Sequence, residues 1–454
     1  MSNPLLENHE LPPFSRIRPD HVEPAIRELI ERNRHAIDEL LATSDRYTWD
    51  NLLRPIEALD DALSRAWSPV THLNSVLNSD ALREAYNRCL PLLSEYGTWM
   101  NQHAGLYTAY KQIAESDGFA ALDEAQRTTI DHALRDFGLA GVALPAEEKQ
   151  RYGDLQRRLS ENGSRFAENV LDATNGWSRP ATAEELAGLP ATALANARQA
   201  AEQAGREGYL ITLDFPSYHA VLTYCDNAAL RNEVYTAYCT RASEQGPDAG
   251  RWDNAGLLIE TLDLRRELAS LLGFESYAAL SLETKMAESP EQVVDFLRQL
   301  AWQSLPQARA DRQALADFAR DEYGVASLAA WDVGYYSEKL RHSRYQVSQE
   351  DVRPWLPVDR VLNGLFEVVR RLCGVEVREA GEFDSYHPDA RLFELVQDGE
   401  LLARFYLDLY ARSGKRGGAW MGNCRVRRHT EGGVQVPVAY LVCNFTPPAG
   451  GTPA

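Results

Sequence analysis

The spacing of apolar residues constrains the fold of this chain most, and it changes once along the sequence. Over residues 20–375 apolar side chains recur with the 3.6-residue period of an α-helix, as Val22, Ile26 and Leu29 illustrate. After Gly374 they alternate or form short runs, which is typical of β-strands. The sequence therefore predicts a mainly α-helical protein that ends in a small sheet.

Capping residues mark the ends of several predicted helices. Asp20 with Glu23 forms a capping-box pattern at the first long helix, and Ser289 with Pro290 marks a second start. Gly374 stands where a helix is expected to end. Further helical periods lie near residues 48–68, 80–116, 121–138, 145–173, 190–204, 226–243, 253–272, 290–323 and 358–373.

The last part of the chain contains hairpin signals between apolar runs. Asp398-Gly399 is a strong two-residue hairpin turn, and Gly432-Gly433 predicts a second turn. Because aromatic and apolar residues occupy both faces of the final run, we expect a small antiparallel β-sheet that is buried in a larger body. The predicted strands are residues 392–396, 401–407, 419–426 and 434–445.

Charge and composition exclude several classes of protein. The 454 residues carry 47 Lys+Arg against 66 Asp+Glu, a formal net charge of −19, which argues against a nucleic-acid partner. No stretch approaches the roughly 20 apolar residues that cross a bilayer, so we expect no membrane partner. The first ten residues lack the basic and apolar regions of a signal peptide, and we therefore expect a cytoplasmic protein.

The residues alone reveal no catalytic centre. The sequence contains 10 histidines, but none stands four residues from another, so no helix presents two imidazoles to a metal. The six cysteines contain no Cys-x-x-Cys and are expected to be buried free thiols. A nucleophile elbow and a phosphate-binding loop are also missing from the sequence.

One glycine-rich segment, residues 415–423, allows two interpretations. It is either a turn that leads into a buried strand with Trp420 in the core, or an exposed strand edge that pairs with an extended peptide. Charge runs are usually solvated, so the basic residues of this region are expected to form a solvated rim. These are Lys415, Arg416, Arg425, Arg427 and Arg428.

Several long sequence blocks resemble the thimet-oligopeptidase family of zinc metallopeptidases. The resemblance extends over essentially the whole chain and is weaker before about residue 250. The blocks that carry it are residues 266–274, 281–287, 331–332, 335–341, 405–412, 414–421 and 437–448.

The resemblance implies an elongated multi-helix body with a deep channel, in which a zinc-bound water attacks short, unstructured peptides. It further implies a monomer with short peptides as partners. Three regions are expected: residues 1–250 as an N-terminal helical region, 251–374 as a helical channel wall, and 375–454 as the sheet region.

The sequence departs from this family at the zinc site. Members need His-Glu-x-x-His on a helix and a further Glu as ligands, and none of the 454 residues matches that motif. By this resemblance the motif is expected shortly after residues 445–454, so the chain is expected to be the N-terminal portion of such an enzyme. We can therefore assign no catalytic residue and no metal ligand, and we expect this chain alone to be inactive. Two alternatives remain open: a separate polypeptide supplies the zinc half, or the chain is a non-catalytic helical scaffold that binds peptides.

The resemblance changes the interpretation of the glycine-rich segment, because the matching strand in relatives lines the channel near the metal. We expect its backbone to pair with a peptide substrate, while Gly417 and Gly422 keep the approach clear. Tyr410, Arg412 and strand 438–445 are expected to support the sheet. The predicted substrate-binding residues are Gly418, Ala419, Trp420 and Met421.

Overall fold

The computed structural model describes residues 3–430 and 432–448 of the chain. Helices dominate these residues, which confirms the prediction of a mainly α fold. The helices are α1 Pro19–Thr43, α2 Arg54–Val76, α3 Asp80–Asn101, α4 Ala104–Ala114, α5 Glu124–Leu139, α6 Ala146–Gly176, α7 Ala191–Gln203, α8 Phe215–Tyr224, α9 Ala228–Cys239, α10 Ala255–Leu271, α11 Tyr277–Leu282, α12 Pro290–Tyr323, α13 Val333–Tyr345, α14 Gln349–Val352 and α15 Val358–Cys373.

The strands are concentrated after residue 375. One large sheet has the strand order β3-β4-β5-β9-β6, and two short pairs, β1 with β2 and β7 with β8, stand apart from it. The strands are β1 Ser178–Ala181, β2 Tyr209–Thr212, β3 Glu376–Glu379, β4 Arg391–Gln397, β5 Glu400–Tyr410, β6 Trp420–Arg425, β7 Arg428–Thr430, β8 Gly433–Gln435 and β9 Val438–Phe445.

Local capping signals were accurate at one helix start and inaccurate at another. Ser289 caps α12 by accepting a hydrogen bond from the Gln292 backbone N–H at 3.2 Å. At α1 the predicted cap was wrong, because the helix begins at Pro19 and its N-cap residue is Arg18. A proline at the first helical position supplies a favourable φ angle, and the cap lies two residues earlier than predicted.

The helical part differs from the sequence prediction in three places. The run at residues 80–116 forms two helices, because His103 interrupts it and accepts a hydrogen bond from the Leu106 backbone N–H as the N-cap of α4. Helices α8, α11, α13 and α14 were not anticipated. Neither was the β1–β2 pair, whose strands are only four residues long and therefore carry little periodicity.

The large sheet is mixed, whereas the sequence predicted an antiparallel one. Strands β5 and β9 pair in parallel, with Tyr406 opposite Tyr440. The chain between them runs from residue 411 to residue 437, which exceeds the dozen or so residues that a parallel connection needs. The other pairs are antiparallel, and the predicted hairpin turn at Asp398-Gly399 joins β4 to β5 with φ angles of 53° and 84°.

Helices cover both faces of the large sheet, as the apolar residues on both faces of its last strand predicted. One face packs Tyr406, Tyr440 and Val442 against residues of α1, α2 and α3. The other face packs Phe393 and Leu407 against α15. The sheet is therefore an inner layer, and its orientation depends on the helices that precede it by several hundred residues.

Two further predictions concern the turn near residue 432 and the ends of the chain. Gly432 lies in the turn between β7 and β8, so this turn closes a separate short hairpin and does not join β6 to β9 directly. Residues 1–2 of the predicted N-terminal region, and residues 431 and 449–454 of the predicted sheet region, lie outside the described residues. The boundaries at residues 250 and 374 stay predictions.

The cysteines only partly match their expected burial. Cys89, Cys225 and Cys424 are buried free thiols, whereas Cys239 and Cys373 are exposed. No helix in the described part of the chain is long and apolar enough to span a bilayer.

A buried ion pair links α9 to the start of α13. The Arg231 guanidinium is 1% exposed, and its Nη2 donates to Asp332 Oδ1 at 2.6 Å. Its Nη1 donates to the Cys225 carbonyl oxygen at 2.6 Å, and its carbon lies 4.1 Å from the centre of the Tyr335 ring. Because each of the three guanidinium nitrogens donates to a protein oxygen, the pair holds these helices in one arrangement.

Arg231→Met is expected to lower the free energy of unfolding by about 3–5 kcal/mol, because it leaves the Asp332 carboxylate buried without a partner. Urea unfolding followed by circular dichroism measures this loss. The control Arg266→Met removes an exposed partner of Asp263, with side-chain exposures of 79% and 61%, and should change stability by less than about 1 kcal/mol. Equal losses for both variants would contradict the structural role of Arg231.

Candidate functional site

Strand β6, which contains two of the four predicted substrate-binding residues, lies at an edge of the large sheet. Its strand neighbour within the described residues is β9 alone, with Trp420 opposite Val442 and Gly422 opposite Tyr440. The other two predicted residues, Gly418 and Ala419, lie in the loop immediately before it. An edge strand leaves one row of backbone N–H and C=O groups unpaired, so an extended chain can add to it.

The two faces of β6 have different surroundings. Trp420 and Cys424 pack toward α1–α3, since both belong to the cluster formed with those helices. Met421 lies on the opposite face, because successive side chains alternate, and it is 72% exposed. Trp420 therefore contributes to the core, while Met421 is accessible, and pairing of this strand with a peptide stays a prediction.

The glycines near β6 have different amounts of free space. A Cβ atom at Gly417 would meet no atom within 4 Å, which is consistent with an open approach. A Cβ at Gly422 would lie 3.6 Å from the Tyr440 ring. Gly422 therefore allows the strand to pack closely over Tyr440 on the helical face, and its role in the approach of a peptide stays a prediction.

Helix α2 runs beside β6 and fixes its direction. Ser68 Oγ donates to the Asn423 carbonyl oxygen at 2.6 Å, and the Arg416 backbone N–H donates to the Ser75 carbonyl oxygen at 2.8 Å. Because groups two residues apart on a strand point the same way, the N–H and C=O of Met421 point to the same side as the Asn423 carbonyl. This side faces away from β9; Ser68 contacts it at Asn423, and the exposed Met421 offers its backbone N–H and C=O there.

The loop before β6 is anchored by a buried lysine, which contradicts the prediction of a solvated basic rim. Lys415 is 4% exposed. Its Nζ donates to Asp408 Oδ1 and to the Tyr410 carbonyl oxygen, both at 2.7 Å. The prediction failed because charge patterning does not show that Asp408 stands in the core behind the loop. Arg416 and Arg427 are exposed, as expected.

Asp408 is the centre of this buried network. It also accepts hydrogen bonds from Arg412 at 2.7 Å and from the Tyr386 hydroxyl at 3.0 Å. Burial opposes its ionisation, but the hydrogen bonds from Arg412 and Lys415 prevail, so the pKa of Asp408 lies below its usual value. Arg412 supports the sheet, as predicted.

His72 of α2 lies on the sheet side of the same region. Its ring stacks on Tyr440 with centroids 3.8 Å apart, and its Nε2 is buried without a hydrogen-bond partner among the described residues. Burial lowers the pKa of His72 to about 3, so the imidazole is neutral near pH 7. A neutral ring in this position packs as an aromatic group.

Stability should fall as the pH drops from about 6.5 to about 3, because the unfolded chain then binds a proton at His72 that the folded chain excludes. His72→Phe keeps the stacking and removes this titration, so its unfolding free energy should decline less over that range, by up to about 4 kcal/mol. Urea unfolding at a series of pH values measures the difference. The exposed His35→Phe provides the control, and parallel profiles for wild type and His72→Phe would show that His72 does not titrate on unfolding.

The described residues contain no group of three or more His, Cys, Asp or Glu side chains that could hold a metal ion. The donor set that a catalytic zinc requires is three protein ligands with an open fourth position. The residues of this structure therefore do not fit a zinc site, and no catalytic step through zinc follows from them.

A separate cleft of about 850 Å³ lies between α3, α6 and α10. Its lining is largely aromatic and aliphatic and includes Trp67, Tyr152 and Tyr277, with Gln156 and Arg265 among its polar groups. None of the described residues of β6 lines this cleft. The deep channel implied by the family resemblance therefore stays a prediction.

Sequence reasoning missed the residues that hold the candidate strand from outside it. Asn444 Nδ2 donates to the carbonyl oxygens of Arg416 and Gly418 at 3.0 and 2.5 Å. Ser68 and Ser75, on α2, lie more than 340 positions from the groups they contact. Nothing in the sequence around Ser68 or Ser75 indicated these partners.

Comparison with known proteins gives consistent matches along the chain. Residues 221–454 match peptidase family M3, and residues 26–149 match the N-terminal domain of neurolysin and thimet oligopeptidase. Oligopeptidase A of Escherichia coli (strain K12) is 53% identical over 457 residues, which cover 100% of this chain and 67% of that protein. Oligopeptidase A of Haemophilus influenzae is 51% identical, with the same coverage.

Among solved structures, PZ peptidase A with an inhibitor has a TM-score of 0.48 and 13% identity, and the match covers 97% of this chain and 62% of that one. The chain spans 67% of the length of each of the two oligopeptidase A relatives.

Proposed function

The chain belongs to peptidase family M3, and we propose on this basis that its sequence is that of an oligopeptidase-A-like zinc metallo-endopeptidase, an enzyme that hydrolyses short, unstructured peptides. The proposal includes a cytoplasmic location and a monomeric state. The observation that carries the peptide-binding part is the edge position of β6 in a sheet whose two faces pack against helices.

An edge strand selects its partner by backbone conformation. Only a chain that is already extended can align its N–H and C=O groups with those of Met421 and its neighbours. A folded protein has these groups paired internally, whereas a short unstructured peptide has them free. The geometry of β6 therefore favours short peptides as the substrate class, with Gly418, Ala419, Trp420 and Met421 as the binding residues.

Met421→Pro is expected to weaken peptide binding at least about tenfold, because proline removes an N–H from the free edge and leaves the ladder with β9 intact. Fluorescence anisotropy of a labelled octapeptide measures binding, and thermal unfolding measures stability. Met421→Ala keeps the N–H and should bind normally.

The matched variant Gly422→Pro removes an N–H on the ladder side and should lower stability instead. If Met421→Pro and Met421→Ala bind the octapeptide equally, the peptide does not pair with β6.

We further propose that the 454-residue chain does not hydrolyse peptides by itself, since none of its residues matches the zinc motif of its family. A complementing polypeptide that corresponds to the unmatched third of the Escherichia coli relative would then supply the metal site. A non-catalytic scaffold is the second candidate, and peptide binding through β6 without metal is compatible with it.

Exposed apolar stripes support a complementing partner. On α15, Leu362 and Phe366 pack against the sheet, whereas Val361, Leu365, Val368 and Leu372 form a stripe on another side with exposures from 47% to 80%. Helix α12 exposes Phe296 and Trp302 at 64% and 80%. Contiguous exposed apolar surface of this kind marks an interface in a folded protein.

The purified chain is expected to contain no stoichiometric zinc and to show no chelator-sensitive cleavage of a quenched fluorescent peptide. The unmatched third of the Escherichia coli relative, produced separately and added, should give stoichiometric zinc binding and chelator-sensitive cleavage. It should also raise the solubility of the chain. Elemental analysis and fluorescence assays measure these outcomes. One zinc per chain without the added polypeptide would contradict the proposal.

A further inference from the structure

Three consecutive backbone N–H groups immediately before β6 have no hydrogen-bond acceptor. Within residues 3–430 and 432–448, the N–H groups of Gly417, Gly418 and Ala419 donate to no backbone or side-chain group. All three residues are exposed. We call this segment, residues 417–419, the amide row. Exposed donors without partners in a rigid loop are available to an external acceptor.

The loop that carries the amide row is ordered by its own contacts. Asn444 occupies the carbonyl oxygens of Arg416 and Gly418, and the Asn78 backbone N–H donates to the Gly414 carbonyl oxygen at 3.1 Å. The buried Lys415 fixes the middle of the loop. The carbonyl oxygens of Gly414, Arg416 and Gly418 therefore accept hydrogen bonds from within the protein, while the N–H groups of the amide row are left to an external acceptor.

One glycine of the amide row has a left-handed backbone conformation. Gly418 has a φ of 96°, whereas the φ of Gly417 is negative. Successive backbone N–H groups in a turn of this kind can converge on an anionic oxygen atom. Glycine permits this geometry at position 418, where other residues would be strained.

The charge around the amide row favours an anion over a neutral carbonyl group. Arg412, Lys415 and Arg416 carry three positive charges, and Asp408 neutralises one of them. The Arg416 guanidinium is exposed and has no ion-pair partner among the described residues. Glu168 and Arg416 both lie near Tyr86, where Glu168 raises the pKa of the hydroxyl and Arg416 lowers it. Glu168 already accepts a hydrogen bond from Asn87.

We propose that the amide row and Arg416 bind the C-terminal carboxylate of a short peptide that lies antiparallel to β6. An antiparallel chain on β6 places its carboxyl end beside the first residue of that strand, and the amide row lies there. This inference rests on the proposed peptide-binding function of β6. It adds a direction for the bound peptide and a preference for a free carboxyl terminus.

Two peptides of one sequence test the proposal. An N-terminally labelled octapeptide with a free carboxyl terminus should bind the purified chain about tenfold more tightly than the same peptide with a C-terminal amide, because a charge-assisted hydrogen bond is lost. Arg416→Gln should reduce this ratio severalfold toward one. The control Arg427→Gln removes an exposed arginine beyond the other end of β6 and should leave the ratio unchanged.

A second pair of variants tests the backbone donors. Gly417→Pro removes one N–H of the amide row, and Gly417→Ala keeps it at a position where a Cβ meets no atom within 4 Å. Gly417→Pro should lower the preference for the free acid, and Gly417→Ala should not.

The possible failures are distinguishable. Equal binding of acid and amide, with β6 protected from hydrogen exchange by both peptides, overturns the carboxylate proposal and leaves the proposed function standing. No binding of either peptide overturns both.

Discussion

The buried carboxylate of Asp408 organises the region on which the candidate site depends. It is 0% exposed and accepts hydrogen bonds from Lys415, Arg412 and Tyr386 at 2.7, 2.7 and 3.0 Å. A buried charge is stable only with such partners, so each of these side chains is held where Asp408 requires it. Arg412 also donates to the carbonyl oxygen of Val76, the last residue of α2, at 3.0 Å. One carboxylate thereby connects a sheet strand, the loop before β6 and a helix from the first part of the chain.

This connection explains how an edge strand can be both exposed and rigid. The face of the sheet is closed by α2, whose His72 stacks on Tyr440, while the side of β6 away from β9 has no neighbouring strand within the described residues and is contacted by Ser68 at Asn423. The Ser68 side chain donates to a backbone carbonyl of β6, and the Asn444 side chain donates to backbone carbonyls of the loop before it. A binding edge that is ordered before its ligand arrives loses less conformational entropy on binding.

The helices around the sheet show the opposite situation, with apolar surface that the described chain does not cover. On α15 the side toward the sheet is packed, and the side carrying Leu365 and Leu372 is exposed by 50% and 80%. The oligopeptidase A relatives are longer than this chain, which spans 67% of them. The exposed side of α15 is the surface on which the complementing polypeptide proposed above would pack.

The amino-acid sequence alone determined the helical body, the change to strands after Gly374, the Ser289 cap and the Asp398-Gly399 hairpin. Each of these follows from residues within a few positions of one another, where side-chain period, capping and φ preference act directly. The family was also legible, because long blocks of sequence carry it.

Only the tertiary structure decided that Lys415 is buried, that β5 and β9 run parallel, and that Arg231 pairs with Asp332. The partners in these cases lie 7 to 101 positions apart, and hydrogen bonding and desolvation between such groups depend on how the whole chain packs.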